Sequence, residues 1–168
     1  MIAKGRLSVK QIVSIVVAIT ALIIATTIFI LNATQNYLNL RDGKTGNVLA
    51  SYPIEKDGEF SVWFIHSVNQ SPVEDCYRIE NGEIVVYQTV YYNFGAGVQT
   101  ELEDGQTLSY GEDGSMIVSG FDKPIPELYY NISPVYDHVL KINGEEISLR
   151  QLCGENRFIS FCYEKNKG

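Results

Sequence analysis

Between Phe64 and Asp75 the chain reads Phe64-Ile65-His66-Ser67-Val68-Asn69-Gln70-Ser71-Pro72-Val73-Glu74-Asp75. An imidazole, hydroxyls and two carboxylates stand there close together. If the segments on either side pair as a hairpin, His66 comes within side-chain reach of Glu74 or Asp75. A carboxylate beside an imidazole favours its charged form and fixes its tautomer, which suits a general base or an anion-binding imidazolium. The same contact serves equally well to lock a turn. A hydrolase built from Ser67, His66 and Asp75 meets two obstacles. Adjacent residues of a strand point to opposite faces, and no G-x-S-x-G elbow presents a nucleophile. Metal binding by His66, His138 and a carboxylate lacks any His-x-His or Cys-x-x-Cys spacing. The reading is therefore of a binding site with no catalytic residue, metal or cofactor.

A second stretch, Tyr91-Tyr92-Asn93-Phe94-Gly95-Ala96-Gly97, ends the longest candidate strand. Gly-Ala-Gly permits a sharp turn and leaves amides bare, as in a small-anion cradle or a simple strand-ending bulge. Without a following helix or a P-loop lysine it is no nucleotide motif. Strand direction ties the two stretches together. Phe60 to His66 runs up, Val73 to Ile79 runs down, and Glu83 to Phe94 runs up again. An up-down-up meander brings His66, Ser67, Glu74, Asp75, Gly95, Ala96 and Gly97 towards one end of a β-domain, where a small carboxylate or a partner's loop would bind.

The elements that must position these residues are short, rich in Val, Ile, Tyr and Phe, and separated by turn residues. Phe60, Val62 and Phe64 alternate with Trp63 and Ile65, so both faces are apolar and the strand is central. Asn81-Gly82, Asp113-Gly114 and Asn143-Gly144 are hairpin turns. Further strands are expected over Thr107 to Tyr110, Ser115 to Val118, His138 to Ile142 and Arg157 to Tyr163. Leu149 to Leu152 reads as a short helical turn, and the stretch with Pro124, Pro126 and Pro134 as loop. The fold class is all-β, a small antiparallel sandwich or partly open barrel.

From Ile12 to Leu31 twenty residues pass without a charge, enough to span a bilayer's apolar core of about 30 Å as a helix. Lys4, Arg6 and Lys10 precede the run; all twenty acidic residues and ten of the thirteen basic ones follow it, a balance of -10. The positive-inside rule keeps such an N-terminus cytoplasmic and sends the rest outside. A cleaved signal is the competing reading, and the run is long for one. The expected layout is a cytoplasmic segment 1–11, an uncleaved anchor 12–31, a linker 32–47 and an extracytoplasmic β-domain 48–168. The formal charge of -7 on 168 residues argues against a nucleic-acid partner. In an oxidising compartment, Cys153 and Cys162 are expected to form a disulfide across Gly154-Glu155-Asn156-Arg157, with Cys76 left over. Spacing also allows three reduced thiols.

The series Phe-Ile-His-Ser-Val, Ser-Pro-Val-Glu-Asp and Phe-Gly-Ala-Gly, from Phe60 to Gly97, resembles a bacterial and archaeal family of small exported domains of unknown function. Its members are often encoded beside TAXI-type TRAP transporters. In that pattern the His-Ser pair, the acidic residue after Pro-Val and Gly-Ala-Gly stand out, here His66, Ser67, Asp75 with Glu74, and Gly95, Ala96, Gly97. The family's proline after Gly-Ala-Gly is replaced by Val98-Gln99-Thr100. The resemblance implies a membrane-anchored accessory or small-ligand-binding domain, its partner a TRAP-type permease or solute-binding protein. The alternative is a membrane-anchored hydrolase or isomerase using the His66/Asp75 pair.

Overall fold

A computed structural model describes residues 8–33, 35–68, 70–93 and 101–165. The chain divides into two units, an N-terminal helical one and a β-domain over Asn36–Lys165.

Helix α1 covers Val9–Ala33, three residues beyond the uncharged run at its start and two beyond it at its end. Ser8 and Gln11 start it with a reciprocal capping box: Gln11 Oε1 accepts from the Ser8 amide, and Ser8 Oγ from the Gln11 amide. The hydroxyls of Thr20, Thr26 and Thr27 donate to carbonyls four residues back, so these polar groups are satisfied inside the helix, as an apolar medium demands. Val9–Phe29 is long and apolar enough to cross a membrane, a property that a signal sequence shares.

The described residues of the β-domain form eleven strands in two antiparallel sheets. The smaller contains β1 (Tyr37–Asp42), β2 (Val48–Pro53), β8 (Leu128–Ile132) and β11 (Arg157–Glu164), in the order β2-β1-β11-β8. The larger contains β3 (Glu59–Ile65), β4 (Pro72–Glu80), β5 (Glu83–Tyr91), β6 (Thr107–Tyr110), β7 (Met116–Pro124), β9 (His138–Ile142) and β10 (Glu145–Ser148). Their order is β10-β9-β3-β4-β5-β7-β6. Helix α2 (Leu149–Cys153) is capped by Ser148, whose side chain accepts from the Gln151 amide.

The main core lies between the sheets. Leu38, Leu40, Leu128, Ile159 and Phe161 come from the smaller sheet, and Phe60, Val62, Ile79 and Leu140 from the larger. Phe60 stacks on both Tyr77 and Phe161, at 5.0 and 5.7 Å between ring centres. The central place of β3 holds, between β9 and β4 and with Phe60 and Val62 buried, but its other face, expected to be covered as well, sets Trp63 opposite the outward Glu74. Two separate sheets enclosing one core make a sandwich rather than a barrel.

Three sequence expectations change. Residues 37–42, placed in a linker, form β1, a central strand whose Leu38 and Leu40 are fully buried. The polar residues that suggested a spacer belong to its other face and to its turn. There Asp42 Oδ1 accepts from the Lys44 and Thr45 amides while Arg157 binds Oδ2 at 2.7 Å. The proline stretch, read as loop, contains the end of β7 and all of β8; Pro124 closes one strand and Pro126 and Pro134 flank the other, so none breaks a ladder from within. The Cys153–Cys162 disulfide is absent, and all three cysteines are free. Cys153 belongs to the core cluster, whereas Cys162 alternates with the buried Ile159 and Phe161 and so faces the opposite side of β11.

Candidate functional site

The hairpin β3–β4 forms as expected, but its register separates the residues it was expected to unite. Ile65 lies opposite Pro72, Trp63 opposite Glu74 and Val62 opposite Asp75. His66 stands beyond the last pair, in a turn where its amide donates to Ser71 O and its carbonyl accepts from Gln70 N. Its Nδ1 accepts from the Val68 amide at 3.3 Å, and Ser67 is exposed. Glu74 and Asp75, being neighbours in a strand, leave on opposite faces. The His66/Asp75 pair therefore does not form.

The meander itself places β3, β4 and β5 side by side. Val73 pairs with Tyr91, and the Tyr92 amide donates to Pro72 O at 3.1 Å, so the His66 turn and the end of β5 share one end of the sheet. Gly95, Ala96 and Gly97 lie outside the described residues.

Asp75 turns inward. Thr89 Oγ1 donates to its Oδ1 at 2.8 Å, and the Tyr130 hydroxyl, from the other sheet, to its Oδ2 at 3.1 Å. Tyr130 and Tyr77 share a further bond between hydroxyls at 2.6 Å. Burial pushes the Asp75 carboxyl above the usual range, and these two donors only partly offset it. The inward position makes Asp75 a link between sheets rather than an accessible ligand group. Nearby His138 is buried and stacks on Phe64; burial lowers its basicity, so its imidazole is held neutral.

Glu74 turns outward, onto the exposed face of the larger sheet. Ser61 Oγ donates to its Oε1 at 2.6 Å, while Lys141 Nζ at 2.9 Å and the Tyr92 hydroxyl at 3.3 Å donate to Oε2. Burial alone would raise this carboxyl, but the hydrogen bonds from Ser61 and Lys141, with the lysine charge and Tyr92, hold it below the usual range. The glutamate is thus ionised and held in one orientation. Three strands supply this cluster, since Lys141 lies opposite Ser61, and Ser61 opposite Cys76.

The cluster lies at a cavity of about 410 Å3 whose walls include Glu59, Ser61, Glu74, Cys76, Tyr87, Lys141, Glu145 and Glu146. A bulge shapes it. Cys76 pairs with Gln88 and Tyr77 with Val86, leaving Tyr87 as an extra residue in β5. On the other side β7 turns through Gly120 and Asp122, with φ of 84° and 43°, at the same level. A Cβ on Gly120 would come within 2.4 Å of the Gly105 carbonyl oxygen, so glycine is required there on two counts. Bulges bend the strand that carries them and re-aim its side chains. Tyr87 accordingly reaches Glu59 through its hydroxyl at 3.1 Å and carries Arg78 over its ring. Beneath it the Cys76 thiol is pushed up to about 12 by burial and by the carboxylates around it, which keeps it protonated.

Of the sequence-expected site residues that are described, Glu74 alone belongs to this groove. Ser61, Tyr87, Tyr92 and Lys141 were missed. Alternation along β3 and β9 puts Ser61 and Lys141 on the outward face of each strand, but only the sheet order makes them neighbours. Among the described residues no group of three or more His, Cys, Asp or Glu side chains could hold a metal ion.

Fold and groove together define an antiparallel β-sandwich domain that follows an apolar helix and opens a polar cleft on its larger sheet. Residues 60–149 match the family model described as Domain of unknown function (DUF1850), over half of the chain, and the protein belongs to that family. The match takes in β3 to β10 and thus Ser61, Glu74, Tyr87, Tyr92 and Lys141, while β1, β2 and β11 lie outside it. Neither a curated protein nor a solved structure matches the chain.

Proposed function

We propose that the protein is a membrane-anchored accessory domain that binds a small solute outside the cytoplasm and works beside a TAXI-type TRAP transporter. The observation that carries the binding reading is the groove. Its volume of about 410 Å3 falls within the span of roughly 300–1,000 Å3 common to small-molecule sites. One ionised, fully hydrogen-bonded carboxylate at Glu74 gives it a fixed polar feature. Glu59, Glu74, Glu145 and Glu146 against Lys141 make the walls net negative, which favours a solute with an ammonium group, such as an amino acid, over a dicarboxylate. The basic residues before the apolar run support an outer location for the β-domain. The transporter association is supported by the sequence resemblance alone.

Full-length protein in detergent micelles, melted with amino acids and with dicarboxylic acids, tests the reading. An amino acid is expected to raise the melting temperature, because a ligand that binds only the folded state stabilises it. Lys141→Gln and Glu59→Gln should change that shift, and deletion of the gene should lower solute uptake. No shift with any solute, together with normal uptake by cells carrying well-folded Glu74→Gln, would sink the binding role; uptake indifferent to the deletion would remove the transporter.

A further inference from the structure

Strand β6 forms one border of the larger sheet, at the side away from the groove. It pairs with β7 along one edge, and no described strand joins the other. All four of its residues are exposed. The hairpin to β7 fixes which main-chain groups point outward. Tyr110 lies opposite Met116, and the Gly111 amide donates to Ser115 O at 2.9 Å. Alternate residues of an antiparallel strand bond to the same neighbour, so Thr107 and Ser109 address β7 while Leu108 and Tyr110 turn their N–H and C=O groups to the open edge. Their side chains share one face and are 41% and 64% exposed.

Sheet borders are normally blunted by charges or prolines, and the other three in this domain are. Strand β10 carries Glu145 and Glu146, β2 ends in Pro53, and β8 sits between Pro126 and Pro134. Thr-Leu-Ser-Tyr has neither device. The nearby charges stand at its two ends instead, Glu101, Glu103 and Asp104 before it, Glu112 and Asp113 after it. Lys123 pairs with Glu103. A strand added to this border must pass acidic residues at both ends. A second copy of the chain would bring the same acidic ends against them and be repelled.

We propose that β6 is a docking edge for an extended segment of a partner protein, with alternating apolar residues and Lys or Arg at both ends. Main-chain hydrogen bonds would give affinity, contact with Leu108 and Tyr110 the register, and the acidic ends the choice of partner. This inference stands on the border strand and not on the groove.

The probe is a labelled peptide, Lys-Lys-Val-Thr-Val-Thr-Val-Lys-Lys, with a twin carrying Glu in place of each Lys, titrated into full-length protein in micelles. The basic peptide is expected to bind and to protect the Leu108 and Tyr110 amides from exchange; the acidic twin is not. Leu108→Pro removes an outward N–H without touching the ladder to β7, and should weaken binding about tenfold, the worth of one such bond. Asp104→Lys with Glu112→Lys should reverse the preference between the peptides, and decides the matter if the proline variant fails to fold. Equal binding to wild type and a folded Leu108→Pro variant, no binding of the basic peptide, or self-association through β6 in its place would each overturn the proposal.

Discussion

The Tyr130 hydroxyl of the smaller sheet donates to the Asp75 carboxylate of the larger one at 3.1 Å, placing an ionisable link inside the apolar layer that holds the sandwich together. Thr89 and Tyr77 complete the link: the single Tyr130 proton goes to Asp75, so Tyr77 donates to Tyr130, in a bond whose geometry suits either hydroxyl as donor. That freedom lets the network reverse its donors when its acceptor changes.

Asp75→Asn is therefore expected to fold, its amide oxygen accepting from Thr89 and its NH2 donating to Tyr130. The folded state holds the Asp75 proton more tightly than the unfolded chain does, because burial raises this carboxyl. Stability linked to Asp75 is fully present below the ordinary aspartate range and is lost as pH rises through the raised folded value. Urea melts at acidic and neutral pH should show Asp75→Asn gaining on wild type as pH rises. Asp75→Ala should instead cost about 1–3 kcal/mol, since two inward hydroxyls lose their acceptor.

Glu74 behaves in the opposite sense. Its carboxyl is held low in the folded state, so its contribution is present above the ordinary glutamate range and lost as pH falls through the lowered value. Lys141→Met should raise the Glu74 titration midpoint, which a carbon-13 carboxyl titration would read. With side chains 34% and 13% exposed, the pair should show a coupling of about 0.5–1 kcal/mol in a double-mutant cycle. A coupling of zero would mean that Ser61 and Tyr92 hold the carboxylate unaided.

The three thiols should differ in reactivity. Cys162 is partly exposed, whereas Cys76 and Cys153 are buried, and the Cys76 thiol is protonated at neutral pH. Iodoacetamide added to folded protein is expected to label Cys162 first and Cys76 last. Peptide mapping without reductant should recover Cys153 and Cys162 unlinked, because Cys153 at the end of α2 packs in the core while Cys162 faces outward from β11; a linked peptide would contradict the packing of Cys153 in the core.

Phe161→Ala should be among the most damaging single changes. The ring is 2% exposed, stacks on Phe60 and meets Tyr130 edge-on. Removing it leaves a void between the sheets and should cost about 3–5 kcal/mol, read from denaturant midpoints.

Much of the fold is legible in single residues. Asn81-Gly82 and Asn143-Gly144 hold the positive φ angles that their hairpins need, and the apolar run of Phe60, Val62 and Phe64 with Trp63 marks a central strand, though the core covers only one of its two faces. The order of strands within the sheets is not local information, and the groove depends on it. Lys141 meets Glu74 across 67 positions of sequence, only because β9 lies beside β3. The separation of His66 from Asp75 was hidden for a related reason. Pairing of Ile65 with Pro72 sets the register, and nothing in the residue types of the turn announces where that pairing starts. Tyr87 reads as an ordinary strand tyrosine, since a bulge is a relation between two strands.

Strand β1 receives the chain from α1 and lies between β2 and β11, bonded to both, with Tyr37 at the same end as Glu164. Tension between the segment before Tyr37 and anything held at the opposite end of the sandwich would pull β1 along its own length. Both ladders would then be loaded together and in shear, so no bond could open before its neighbours. Peeling β2 or β8 from the border would proceed one bond at a time. A domain tethered through β1 is consequently a stiff mechanical coupling, able to pass force from one end to the other before it yields.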